Sequence, residues 1–107
     1  MAKTLHELSN ELKDFILDSH SNYKGLKNVS VERYNNLKMY MRPEFYQVFH
    51  IIICIGISEA IIILPDGLIY SGGLGMDEKF VQRWLQKDSV LQELNSHWKI
   101  AESGISS

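Results

Sequence analysis

The 107-residue chain is predicted to fold as a single α+β domain: an N-terminal helix, a mainly antiparallel sheet of four to five strands, and a C-terminal helix or helix pair packed on one sheet face. Three observations carry this. Apolar residues recur at helical spacing at both ends, the middle third alternates with a period of two or runs β-branched, and Asn, Gly and Pro punctuate the junctions.

The first helix is expected over residues 4–20. Thr4-Leu5-His6-Glu7 is a capping-box pattern, and Leu5, Leu8, Leu12, Phe15 and Ile16 form one apolar stripe that needs a partner surface. From Asn28 the period changes. Val29 and Val31 alternate with Ser30 and Glu32, and Leu37, Met39 and Met41 alternate with Lys38, Tyr40 and Arg42, so two half-buried strands joined at Tyr34-Asn35-Asn36 are expected, with Pro43 ending the second.

Residues 45–55 are β-branched without alternation, which suits a central strand covered on both faces; a helix beginning at Pro43-Glu44 is the competing reading. Gly56-Ile57-Ser58 then links to a strand over residues 59–64. Pro65-Asp66-Gly67 is a tight turn, and residues 68–71 close the hairpin. From Asp77 to Trp98 helical spacing returns, with Phe80, Val81, Trp84 and Leu85 on one face followed by Val90, Leu91, Leu94 and Trp98. Lys87-Asp88-Ser89 breaks the phase, and Ser89 with Gln92 forms a second capping box. Two short helices or one kinked helix follow, with a tail from residue 101 that should fray.

The composition is that of an ordinary globular domain, 45% hydrophobic and 22% charged with two prolines, and one core is all that this length supports. The single cysteine, Cys54, lies in an isoleucine run where a buried, inert thiol is expected, and nothing asks for an oxidising compartment. The longest apolar run, residues 48–64, is interrupted by His50, Gly56, Ser58 and Glu59 and falls short of the roughly 20 residues of a spanning helix. No secretory leader is legible either, so a cytoplasmic setting without membrane contact is expected.

No catalytic signature stands out. Gly72-Gly73-Leu74-Gly75 precedes a helix as phosphate-cradling loops do, but its spacing fits neither dinucleotide nor nucleotide fingerprints. Asp77 and Glu78 in the first turn supply their own negative charge, which favours a flexible bend over a phosphate site. The four histidines are scattered, and one cysteine cannot build a zinc site, so neither a metal nor a cofactor is expected. His50 and Cys54 lie four positions apart on one strand face, about 13 Å, too far for a nucleophile and its base. A hydrogen-bonded core histidine is the better reading. Glu59, the lone charge in its stretch, reads as an exposed carboxylate beside a turn, and Trp84 and Trp98 as core.

Charge is more informative. Residues 21–43 hold Lys24, Lys27, Arg33, Lys38 and Arg42 against Glu32, a net of +4 in a chain of net −2, so the remainder carries −6. Parity places Lys38, Tyr40 and Arg42 on one strand face, a short basic and aromatic strip. A pI near 6.0 argues against a dedicated nucleic-acid binder.

An acidic protein partner fits both facts, and the expected function is a small non-enzymatic interaction module, of regulator, inhibitor, immunity or adaptor type, binding through Arg33, Lys38, Tyr40 and Arg42. A homodimer is expected if one sheet face is left uncovered. The alternative is a small-molecule sensor. The hairpin with its Asp66-Gly67 turn resembles those of profilin-like and PAS-like sensory folds, and a pocket between sheet and helices would then draw on His50, Glu59, Gly72, Gly73 and Gly75. An enzyme would further require His50 and Glu59 to converge in a cleft.

Overall fold

The computed structural model describes residues 3–21 and 34–105. Helix α1 (Leu5–Ser21) leads to a four-stranded antiparallel sheet, β1 (Lys38–Tyr40), β2 (His50–Ile55), β3 (Ser58–Ile63) and β4 (Leu68–Gly72), in the order β1-β2-β3-β4. A short 3₁₀ turn over Gly75–Asp77 then enters helices α2 (Glu78–Leu85) and α3 (Asp88–Ile105). The predicted α+β class, its antiparallel sheet and its helices on one sheet face are all present.

The capping box at the start of α1 is realised reciprocally. The Glu7 amide donates to Thr4 Oγ1 at 3.0 Å, and the Thr4 amide donates to Glu7 Oε1 at 3.2 Å. Leu8, Leu12 and Ile16 are buried along one stripe, which packs on β1 and α2. Two further bonds tie the N-terminus to α3: the Lys3 amide donates to Glu93 at 2.9 Å, and the Lys3 carbonyl meets His97 Nε2.

The inner face of the sheet carries Met39, Ile51, Ile53, Ile55, Ala60 and Ile62, alternate residues that join the helical stripe in one core with Phe80, Val81, Trp84, Leu85, Val90 and Leu94. Alternation is what sends these side chains to the same side. The β2–β3 turn needs only Gly56 and Ile57. Gly56 takes a positive φ of 61°, and Ile57 is left fully exposed at the tip.

Several boundaries differ from expectation. The strand expected around Val29 and Val31 lies outside the described residues. Tyr34 and Asn35 are helical rather than the turn of a β-hairpin: the Leu37 amide returns to the Tyr34 carbonyl, Lys13 Nζ donates to Asn35 Oδ1 at 2.8 Å, and Tyr34 is buried. Anchoring to α1 decides that conformation, which local asparagine preference does not reveal.

The segment 45–55 is a strand only from His50. Before it, the amides of Phe45 and Tyr46 both bond the Arg42 carbonyl in a single turn after Pro43, so the helical reading holds for one turn and the strand reading for the rest. The two-helix reading holds for the C-terminal segment, but α3 begins at Asp88, which places Ser89 in the first turn instead of at the cap, and it runs on to Ile105 through the segment expected to fray.

Candidate functional site

The outer face of the sheet, turned away from the core, gathers most of the chain's chemistry. The register places Lys38, Cys54 and Glu59 side by side on one rung, Tyr40, Ile52, Ile61 and Ser71 on the next, and His50, Ile63 and Leu68 on the last. Ile52 and Ile61 are 3% and 7% exposed yet stand outside the main core. A strap formed by residues 41–49, which joins β1 to β2, crosses this face. Tyr46 on the strap meets Tyr70 of β4 edge-on at 6.0 Å and His50 at 5.4 Å.

At the first rung, the Tyr40 hydroxyl donates to Glu59 Oε2 at 2.9 Å, and the Cys54 thiol approaches the same oxygen at 3.3 Å. The hydrogen bond to this carboxylate, with burial second, holds the Tyr40 hydroxyl protonated up to about 12. Burial first, then Glu59, pushes the Cys54 thiol up, while its contact with Tyr40 and the charge of Lys38 pull the other way. Cys54 is therefore a half-buried thiol beside a carboxylate rather than a fully buried one, and it resists forming the thiolate that nucleophilic chemistry requires.

At the far end, His50 is fully buried. Its Nδ1 lies 2.7 Å from the Val48 carbonyl, and its Nε2 lies 3.0 Å from the Arg42 amide. A carbonyl only accepts and an amide only donates, so the proton sits on Nδ1 and Nε2 carries the lone pair. The ring is edge-on to Trp98 of α3 at 5.3 Å. His50 thus spends both nitrogens on the backbone of the strap.

The expected partner-binding residues divide. Lys38 is exposed and Tyr40 partly so, but the Arg42 guanidinium lies 5.2 Å from the Tyr40 ring centre and pairs with Glu44 at 3.7 Å. Glu44 and Glu59 therefore interleave the strip with negative charge. Arg33 lies outside the described residues. What parity did not reveal is a set of exposed large apolar residues: Phe45 and Tyr70 are 71% and 65% exposed, and Val48 and Leu68 are exposed as well.

The residues of the alternative pocket come together only in part. The Gly73 amide donates to the Glu59 carbonyl at 3.1 Å, and Gly72, with φ 75°, runs so close to that carbonyl that a Cβ would sit 2.0 Å from its oxygen. His50 is a strand length away from Glu59, and both lie on the outer face of the sheet, so the two do not converge between sheet and helices. Gly75 also has a positive φ, of 61°. Glu78 supplies its carboxylate to the Leu74 amide at 3.4 Å, whereas Asp77 turns into the core, where its Oδ1 accepts from the Tyr34 hydroxyl at 2.8 Å. Asp77 is the buried charge that sequence reading missed, since nothing in its spacing separates it from a helix-start carboxylate.

An open groove of about 360 Å³ lies elsewhere, lined by Phe49, Pro65, Leu91, Gln92 and Asn95. Among the described residues, no group of three His, Cys, Asp or Glu side chains is placed to hold a metal ion, and no helix is long and apolar enough to cross a membrane. No family model matches the chain, and neither curated proteins nor solved structures provide a match.

Proposed function

We propose that the chain is a small non-enzymatic protein-interaction module, of regulator, inhibitor, immunity or adaptor type, that acts in the cytoplasm and binds an acidic partner through the outer face of its sheet. The observation that carries this reading is the exposure of four large apolar residues, Phe45, Val48, Leu68 and Tyr70, on a chain that also exposes Lys38 and Arg42. Aromatic residues and arginine are the types enriched at protein interfaces, where a few buried anchors supply most of the binding energy and charges set partner choice. On this face the aromatics are the anchors. Lys38 and Arg42 are the selective rim, and the half-neutralised strip asks for a partner whose carboxylates can compete with Glu44 for Arg42.

The test is capture from the native host lysate with mass spectrometry, comparing wild type with the Lys38→Glu, Arg42→Glu double variant and with Tyr70→Ala. A protein retained by wild type and lost from both variants, with circular dichroism unchanged, supports the reading. Equal retention by all three removes this surface. A second copy of the chain is the competing occupant, and sedimentation showing a dimer that Tyr70→Ala dissociates would assign the face to self-association instead.

A further inference from the structure

The strap that carries Phe45 and Val48 is fastened by one imidazole. His50 bonds the amide of Arg42 where the strap leaves β1 and the carbonyl of Val48 where it returns to β2, so a single ring spans both ends. We propose that His50 is an acid-sensitive latch: a proton taken up on Nε2 releases the middle of the strap, residues 42–48, from the outer face of the sheet.

The chemistry follows from the tautomer. Nε2 accepts from a backbone amide, and once protonated it presents an N–H to an N–H, which turns a hydrogen bond into a repulsive contact and leaves the Arg42 amide without its acceptor. The new charge would also sit in a fully buried site. Nothing named around the ring offsets it. From the strap come the Tyr46 ring and the Arg42 side chain, which is cationic and already engaged with Glu44 and Tyr40. From α3 comes the Trp98 ring, while the adjacent His97 is turned to the Lys3 carbonyl and Lys99 is exposed. Across the sheet, β3 presents Ile63, and on β1 the Tyr40 hydroxyl is turned to Glu59. The Glu44 carboxylate is the nearest negative charge on the strap, and its ion pair is with Arg42.

Relief comes by letting the strap go, because a solvated imidazolium is well accommodated in water. The latched geometry has no acceptor for a proton on Nε2 and water supplies one, so the strap opens as the ring gains its charge. The strap's remaining attachments are local. Tyr46 touches Tyr70, Phe49 touches Trp98, and the Leu64 amide bonds the Phe49 carbonyl. Leu64 belongs to the inner-face core, and Met41 and Phe49 pack against it, so both ends of the strap stay anchored with the sheet and helices while residues 42–48 between them open. If the outer face binds a partner as proposed above, acid removes Phe45 and Val48 from their places and weakens that binding; the latch itself does not depend on the partner's existence.

The test is NMR on the intact chain, following the His50 ring nitrogens, the Arg42 amide and hydrogen exchange at residues 42–48 from about pH 8 to about pH 5. The expected result is an Nδ1–H tautomer at the upper limit, with one midpoint shared by the ring and the strap amides. After correction for intrinsic exchange, strap protection falls by roughly tenfold or more as the ring takes up its proton, while Ile53 and Ile62 stay protected. In His50→Phe the strap should be unprotected at every pH. An Nε2–H tautomer at pH 8, strap amides indifferent to His50 titration, or a ring that stays neutral until the whole domain unfolds would each overturn the latch. The wild-type titration decides the matter even where the variant fails to fold.

Discussion

The two faces of the sheet bury isoleucine by different means. On the inner face Ile51, Ile53, Ile55 and Ile62 meet side chains of three helices in a continuous apolar layer. On the outer face Ile52 and Ile61 lie on the same strands and are nearly as buried, yet among the described residues no helix covers that face from end to end. Their cover is the strap, with tyrosines from β1, the strap and β4, and Trp98 at the edge. Helical cover comes from three elements whose buried residues join the inner face in one core. The strap is held by apolar packing of Met41 and Phe49 at its ends and, between them, by polar attachments that include the two His50 bonds. The difference teaches where a change of shape without unfolding is to be sought: in the middle of the strap, which hydrogen bonds to one ring help to hold, rather than in the packed inner layer.

The most decisive way to break this comparison is to cut the same side chain on each face. Ile62→Ala should cost about 2–5 kcal/mol, as expected for a large-to-small change in a packed core. Ile61→Ala, its neighbour on the opposite face, should cost no more than about half as much, since the strap can settle into the space. Urea denaturation of both variants measures the pair. Equal losses would mean that the outer layer is as rigid as the core, and the distinction drawn here would fail.

A smaller effect is expected where the chain leaves the sheet for the helices. Gly72→Ala places a Cβ against the Glu59 carbonyl in a left-handed conformation, and a loss of about 1–3 kcal/mol is expected. Gly75→Ala shares the positive φ but has nothing within 4 Å of the added carbon, so it should cost only the backbone strain. If both variants lose equally in thermal or urea unfolding, close approach to Glu59 is not what requires Gly72.

The smallest effects concern the polar rung and sharpen the comparison through chemistry. Glu59→Gln removes the carboxylate that helps hold both the Cys54 thiol and the Tyr40 hydroxyl protonated. Alkylation of Cys54 at slightly alkaline pH should accelerate, though not to the rate of a free thiol, because burial is the larger cause of its shift. Stability should change by under about 1 kcal/mol, as for a partly exposed polar contact. An unchanged alkylation profile would remove Glu59 from any influence on the thiol.

Wild type carries a matching pH signature. Tyr40 titrates near 12 in the fold against an ordinary value of 10.0, so its contribution to stability is complete below pH 10 and is lost as pH rises toward 12. Urea midpoints across that window should fall more steeply for wild type than for Tyr40→Phe.

Much of the inner layer was legible in the sequence, and the outer layer far less so. The capping box at Thr4, the stripe of Leu8, Leu12 and Ile16, the turn at Gly67 and the break near Lys87 are local patterns, written within a few residues of the structure they specify. The strap is not local in that sense. Residues 45–49 look like the beginning of the strand that follows, because β-branched and aromatic composition cannot say whether a segment enters a sheet or lies across it. His50 could be read as a hydrogen-bonded core histidine from its apolar surroundings, but its partners, Arg42 and Val48, depend on how the strap folds back.

Strand parity correctly placed His50 and Cys54 on one face and too far apart to cooperate. The same parity also put Lys38, Tyr40 and Arg42 together but could not show that Glu44 and Glu59 would neutralise part of the strip. Cross-strand register decides that Glu59 stands beside Cys54, and register is set by the Gly56–Ile57 turn and by the core.

By itself, then, the sequence determined the α+β class, a helix at the N-terminus and a broken helical segment at the C-terminus, the turns at Gly56 and Gly67 and the polarised charge, because each follows from periodicity, turn chemistry or composition over short spans. Only the tertiary structure decided which face of the sheet the helices cover, that Tyr34 docks as a helical turn and hydrogen-bonds a buried Asp77, and that one histidine fastens the strap. These outcomes depend on contacts between residues far apart in the chain, such as the pairing of Tyr34 with Asp77 and of His50 with Trp98, whose energies exist only once the layers have packed.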